Sequence, residues 1–199
     1  MTLERRKYEK RRRAELEAET RRRITETAVN LHGTIGPSRT SISAIAEQAG
    51  VRRSTVYRHF PDEASLFDAC SAHWGEENPF PDLAAWESIA DPDERLRTAL
   101  RELYDFYGRT ERMLANLHRD EVTMPIVAHQ FSAFHGYLAA ARDVLVRGRA
   151  ARGRRRDATR AAIGHALAFG TWRSLVRDQD VDDDQAVELM RRLVAAAEG

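Results

Sequence analysis

The sequence predicts an all-α protein, and three observations carry that prediction. Apolar residues recur at steps of three and four along most of the 199 residues, and alternating runs of β-branched residues are absent. The periodic segments are interrupted at glycine, proline or aspartate, the residues that end or open helices.

Each helix has its own justification. The first is carried by Ile24, Ala28, Leu31 and Ile35 and is stopped by Gly36-Pro37. The charged stretch before it either extends this helix or frays. A short second helix has Ser41 as its N-cap, Ile42, Ile45, Ala46 and Ala49 on one face, and Gly50 as its stop. Val51 opens a third, with Val56 and Phe60 facing inward, before Pro61-Asp62 breaks the chain. Leu66, Phe67, Cys70 and Trp74 stripe a fourth.

Residues 75–90 contain Pro79 and Pro81 and read as a loop with a short helical turn at 83–86. Asp91-Pro92-Asp93-Glu94 opens the next helix with a capping acid and a proline at the first position. Leu96, Leu100, Leu103, Tyr104 and Tyr107 form its stripe up to Gly108, and a shorter helix is expected over 110–119. Pro125 begins a long helix with Val127, Phe131, Phe134, Leu138, Ala141 and Leu145 on one face. A basic, glycine-containing linker over 147–156 leads to two final helices, about 157–177 and 184–197. Asp182-Asp183-Asp184 opens the second of these, where acids complement the helix dipole.

Charge divides the chain. Basic and acidic residues nearly balance, 32 against 31, but residues 1–60 hold 14 basic and 7 acidic side chains. The remaining 139 residues hold 18 and 24, so a basic module for a polyanion precedes an acidic body. The longest apolar runs are five residues, far short of the ~18 that cross a bilayer. No secretory core is legible near the start, and Cys70 is the single cysteine, so a cytoplasmic protein without a membrane partner, disulfide or cysteine-based zinc site is expected.

The informative stretch is residues 40–66, TSISAIAEQAGVRRSTVYRHFPDEASL. Two short helices joined through Ala49-Gly50-Val51 can meet at a wide angle if the corner residue tolerates a left-handed backbone, which glycine does. Ile45, Ala46, Val51, Val56 and Phe60 hold this helix-turn-helix on the first helix. Arg52, Arg53, Ser54, Thr55, Tyr57, Arg58 and His59 are left outside, a surface of guanidinium groups, hydroxyls and rings that suits phosphates and base edges.

In this stretch the sequence resembles the TetR family of bacterial transcriptional regulators. The match is an ordered set: Ile45-Ala46, Ala49-Gly50-Val51, Thr55, Tyr57-Arg58-His59-Phe60 and Leu66. It covers roughly residues 20–68, whereas the rest of the chain agrees only in helix count and in a long pair of final helices. The resemblance implies an all-α homodimer with an N-terminal three-helix DNA-binding domain and a C-terminal helical domain for ligand binding and dimerisation. We expect a basic arm over 1–19, the helix-turn-helix domain over 20–66 and the body over 67–199.

Carried over by position, the family's contacts to double-stranded DNA fall on Ser43, Arg53, Ser54, Thr55, Tyr57, Arg58 and His59. Tyr57 and His59 would hold phosphates, and Arg53 and Ser54 would read base edges. Arg52 replaces a serine that often caps the third helix, so it grips the DNA backbone instead. Glu63 replaces a phosphate-contacting lysine, which puts that contact in doubt and shifts weight to Arg5-Arg6-Lys7, Lys10 to Arg13 and Arg21 to Arg23 as an arm following phosphates.

Other chemistry is thinly represented. Of seven histidines, none forms a His-x-x-x-His pair, and only His118-x-x-Glu121 has a helical ligand spacing. No P-loop, G-x-S-x-G or G-x-G-x-x-G occurs, so no metal, cofactor or catalytic residue is assigned and no enzyme is expected. Tyr104, Tyr107, Phe131, Phe134, His135, Phe169 and Trp172 are the candidates for a pocket taking an apolar or aromatic effector, with Tyr104 and His135 as polar handles. Ala162, Ala166 and Gly170, with Val187, Met190, Leu193, Val194 and Ala197, give the final helices apolar arcs broad enough for a homodimer interface. The sequence thus points to a ligand-released repressor. Its alternatives are a DNA-binding dimer without a small-molecule effector and a helical enzyme acting on a nucleotide or acidic substrate.

Overall fold

The structure is a computed structural model that describes residues 3–199, with side chains from Arg6 onward. The Arg5 side chain of the expected arm lies outside the described residues. The described chain is all helical: α1 (Leu3–Thr34), a 3₁₀ turn (Pro37–Arg39), α2 (Ile42–Gln48), α3 (Arg53–His59), α4 (Glu63–Glu77), α5 (Leu83–Glu87), α6 (Pro92–Asp120), α7 (Pro125–Val146), α8 (Gly153–Leu167), α9 (Phe169–Arg173), a π turn (Ser174–Asp178) and α10 (Asp183–Glu198). It divides into two compact units, one running to Glu77 with Ala115–Gln130, the other comprising Asn78–Leu114 and Phe131–Gly199.

In the first unit the predicted stripe of α1 is buried at Ile24, Ala28 and Leu31, against Ile45, Ala46, Val56, Phe60, Leu66 and Cys70. Ile35 remains partly exposed beyond the helix end. The charged stretch extends α1 rather than fraying. Residues 6–19 are exposed, and pairs such as Arg11–Glu15 at 2.9 Å and Arg13–Glu17 at 3.2 Å add a few tenths of a kcal/mol each.

The carboxy end of α1 is closed by the end of α6. Asn116 Nδ2 donates to the carbonyls of His32 and Gly33 at 2.9 and 3.0 Å, and Asp120 Oδ2 accepts from the Ser38 amide at 2.9 Å. The backbone turns through Gly36 at φ +95°, where a Cβ would run into the Arg119 guanidinium and the Asp120 carboxylate.

In the second unit Leu96, Leu100, Leu103, Tyr104 and Tyr107 are wholly buried on α6, as predicted, together with Phe106. Two expectations fail here. The helix does not end at Gly108 but runs on to Asp120, because Gly108 stays helical beside Trp172 and the stripe continues through buried Thr110 and Leu114. The helix expected over 157–177 begins at Gly153, inside the expected linker, and breaks at Ala168, whose ψ of 132° is extended. At that break the Tyr104 and Tyr107 hydroxyls donate to the carbonyls of Ala166 and Leu167, at 2.9 and 2.5 Å, satisfying helix-end acceptors without a glycine or proline.

Candidate nucleic-acid interface

The interface is assembled from local rules. Ser41 Oγ accepts from the Ala44 amide at 3.1 Å and starts α2 as its N-cap. Gly50, at φ +64°, ends it: its amide donates to Glu47 O at 3.1 Å while the Val51 amide donates to Ala46 O at 2.9 Å, a Schellman pair. The corner fixes the direction of α3, which opens at Arg52 without a side-chain cap, as the missing serine predicts.

Val56 on α3 and Phe60 just past its end are buried at 0% and 2% exposure and bolt the helix to the core, while Arg53, Ser54, Tyr57 and Arg58 are exposed. Arg53 and Tyr57 are four residues apart, as are Ser54 and Arg58, so the four side chains form one face. Seven residues give a helix about 10 Å long, and the ~10–12 Å diameter of an α-helix with its side chains suits a major groove ~12 Å wide. Ser43 and Arg52 are exposed beside it. Thr55 and His59 depart from the expected outer surface, since both are half-buried. His59 Nε2 is covered and has no hydrogen-bond partner. Burial first, then the charges of Arg58 and Arg21, lower the His59 pKa, so the ring is neutral at pH 7.

The basic arm is partly committed within its own unit. Arg21 lies over the Phe60 ring, 4.1 Å from its centroid, and Arg22 is paired with Glu19 and Glu26 at 2.7 and 2.6 Å. Spacing along the sequence gave no signal for the Arg21 contact, because Phe60 is 39 residues away. Glu63 is exposed at the first turn of α4.

The effector candidates gather into one aromatic cluster in the second unit. Tyr107 lies within 5.4 to 6.4 Å of the rings of Tyr104, Phe134, Phe169 and Trp172. Phe131 stacks on Phe134 at 4.9 Å. Tyr104, Tyr107 and Trp172 have no exposure, and Trp172 Nε1 donates to Asp183 at 2.8 Å, so their polar atoms are already used. His135 is exposed and meets Phe131 edge-on at 4.9 Å. Sequence reading missed Phe80, which stacks on Tyr137 at 4.7 Å and meets Phe106 and Phe134. Its signal was an aromatic residue between Pro79 and Pro81, inside a segment read as loop.

His118 Nδ1 faces Glu121 Oε1 at 3.0 Å, and no group of three or more potential metal ligands occurs among the described residues. No described helix is long and apolar enough to cross a membrane.

Comparison with known proteins points the same way. Residues 24–70 match the family of bacterial regulatory proteins described as the tetR family. A 49-residue segment is 45% identical to the HTH-type transcriptional regulator AcrR of Shigella flexneri, covering 25% of this chain and 23% of that relative's length. The fold is similar to that of a TetR-like transcriptional regulator from Rhodococcus sp. RHA1, with a TM-score of 0.64 and 21% identity over 88% of this chain and 93% of the other. It is also similar to the multidrug binding protein EbrR in complex with imidazole, with a TM-score of 0.58 and 21% identity over 88% and 89% of the two chains.

Proposed function

From the premise that residues 24–70 belong to the tetR family of bacterial regulatory proteins, we propose that the chain is a ligand-responsive transcriptional repressor binding a two-fold-symmetric operator as a homodimer. The observation that carries this reading is the division of α3: Val56 and Phe60 lock it to the core while Arg53, Ser54, Tyr57 and Arg58 stand in solvent on a net-basic module. Arg53 forks onto a base edge, Tyr57 and Arg58 hold phosphates, and Ser43 and Arg52 support them from the flanking backbone. Thr55 and His59 position the helix more than they touch DNA.

Dimerisation supports the mechanism geometrically, because two reading helices must present themselves about one turn apart, ~34–36 Å. Leu189 and Leu193 on α10 are 47% and 41% exposed and lie four residues apart, whereas Val187, Met190 and Val194 are buried within the subunit. This leaves a narrow apolar seam for a second copy. A small apolar or aromatic effector that favours one arrangement of the dimer over another would release DNA by its difference in affinity for the two. EbrR, a multidrug binding protein by description, supports that part of the reading by analogy of fold alone.

Selection of bound sites from a random duplex library, followed by footprinting, tests the proposal. A palindromic site protected on both halves is expected, and a single protected half-site from a monomer contradicts it. The buried, hydrogen-bonded rings of Tyr104, Tyr107 and Trp172 favour a second reading, a DNA-binding dimer regulated without a small molecule. A thermal-shift screen with aromatic compounds separates the two.

A further inference from the structure

The first unit holds a cavity of about 180 Å³ lined by residues of α1, α2, α3 and α4. Its floor is apolar, built from Ile42, Ile45, Phe60 and Leu66. One wall is the His32 and Phe67 pair, whose rings stack at 5.0 Å and 22°. Burial pushes the His32 imidazole down to about 4, so this wall carries no charge at neutral pH. Tyr57 contributes to the lining from α3, and the acidic residues Asp62 and Glu63 contribute from the start of α4. Asp62 is held ionised by hydrogen bonds with Ser65, whose amide donates to it at 2.8 Å. Among the described residues, no lysine or arginine lines the cavity.

Volume and charge together select a ligand class. An apolar cavity of ~150 Å³ is known to take a benzene ring, whereas sites for drug-sized molecules begin near ~300 Å³. The space therefore fits one ring with a short substituent. Flat aromatic walls favour an aromatic ring over an aliphatic one. Two carboxylates and no cation reject an acid and favour an ammonium group.

We propose that this cavity is a binding site for a small monocyclic aromatic amine, with the ring against His32 and Phe67 and the ammonium group beside Asp62 and Glu63. The site lies in the DNA-facing unit and is separate from the aromatic cluster of the second unit. Resting on the DNA-binding reading, one consequence follows. An ammonium beside Glu63 cancels a carboxylate adjacent to the α3 face, so occupancy tightens DNA binding.

The test uses the full chain with methyl groups labelled, titrated separately with benzylamine, benzyl alcohol and benzoate, which have similar shapes and different charges. Benzylamine is expected to shift the methyl signals of Ile42, Ile45 and Leu66, with benzoate bound about tenfold more weakly and benzyl alcohol between them. Ile42→Trp fills the cavity and should abolish these shifts. Because that change can disturb packing, Glu63→Gln, at an exposed position, provides the second arm: it should weaken benzylamine by about threefold and leave benzyl alcohol unchanged. Shifts confined to residues beyond Glu77, or an equal response to benzoate, overturn the site. In a separate DNA titration, saturating benzylamine should raise affinity by about threefold, and unchanged or weakened binding overturns the coupling. Failure of the ligand-free protein to bind any duplex instead overturns the DNA reading while leaving the methyl result standing.

Discussion

Arg21 donates a 2.5 Å hydrogen bond from Nη1 to the carbonyl of His59, the last residue of α3, and lies over the ring of the following Phe60. A cation at the carboxy end of a helix satisfies a carbonyl that has no partner within the helix and complements its dipole. The contact joins α3 to α1 through a residue that sequence alone assigns to phosphates.

Arg21→Ala is accordingly expected to cost about 1 kcal/mol of stability, from a charge-assisted hydrogen bond and an exposed cation–π contact, which lowers Tm by roughly 2–4 °C. Arg12→Ala, on the exposed stretch of α1, should leave stability unchanged within ~0.5 kcal/mol and reduce only DNA affinity and its salt slope. Calorimetry of the two variants beside salt-dependent DNA titrations separates these roles, and equal Tm values would remove Arg21 from the fold's support.

Glu63 is exposed in the first turn of α4, at the position where the resemblance places a phosphate-contacting lysine. Replacing it with lysine should tighten DNA binding by about threefold to tenfold at low salt and steepen the salt dependence by about one counterion. An affinity unchanged by Glu63→Lys places this residue away from the duplex.

His32 gives the fold a pH dependence of known sign. Burial lowers its pKa from 6.5 to about 4, against a smaller opposing effect of the Asp120 charge. The unfolded chain therefore takes up this proton at higher pH than the folded one. Stability contributed by the neutral ring is complete above about pH 6.5 and is lost as pH falls from there toward 4, by up to about 3 kcal/mol. His32→Phe keeps the backbone carbonyl that Asn116 uses and the stack on Phe67, and it should flatten denaturation midpoints across this window. A slope equal to that of the unmodified chain would assign the pH dependence to other groups.

Leu189→Glu with Leu193→Glu places two charges on the exposed seam of α10 without touching the buried Val187, Met190 and Val194. The expected result in sedimentation is a folded monomer, with DNA affinity reduced at least about tenfold by loss of the second half-site. A dimer that survives both changes lies elsewhere.

The local parts of the fold were legible because their causes are local. Ser41 caps, Gly50 turns, and the stripe from Ile24 to Leu31 follows a helical period, so the helix-turn-helix and its buried face could be read directly. What escaped has causes distant in sequence. The break at Ala168 is stabilised by tyrosine hydroxyls 60 and 62 residues away, and nothing between Leu167 and Phe169 announces it. The linker arginine Arg149 is almost fully buried, because it pairs with Asp93 and with Glu198 at 2.8 Å, residues 56 and 49 positions away. Sequence reading set His59 on the outer face of α3, but packing turns its ring partly inward.

The most direct test measures the affinity of the unmodified chain and of Arg53→Ala for a selected palindromic duplex and for its single-base variants. The account predicts that Arg53→Ala loses about 1–3 kcal/mol on the palindrome and becomes indifferent at one symmetric pair of positions, while keeping its salt slope within about one unit. A uniform loss across every duplex, or no loss at all, would contradict the assignment of α3 as the element that reads DNA.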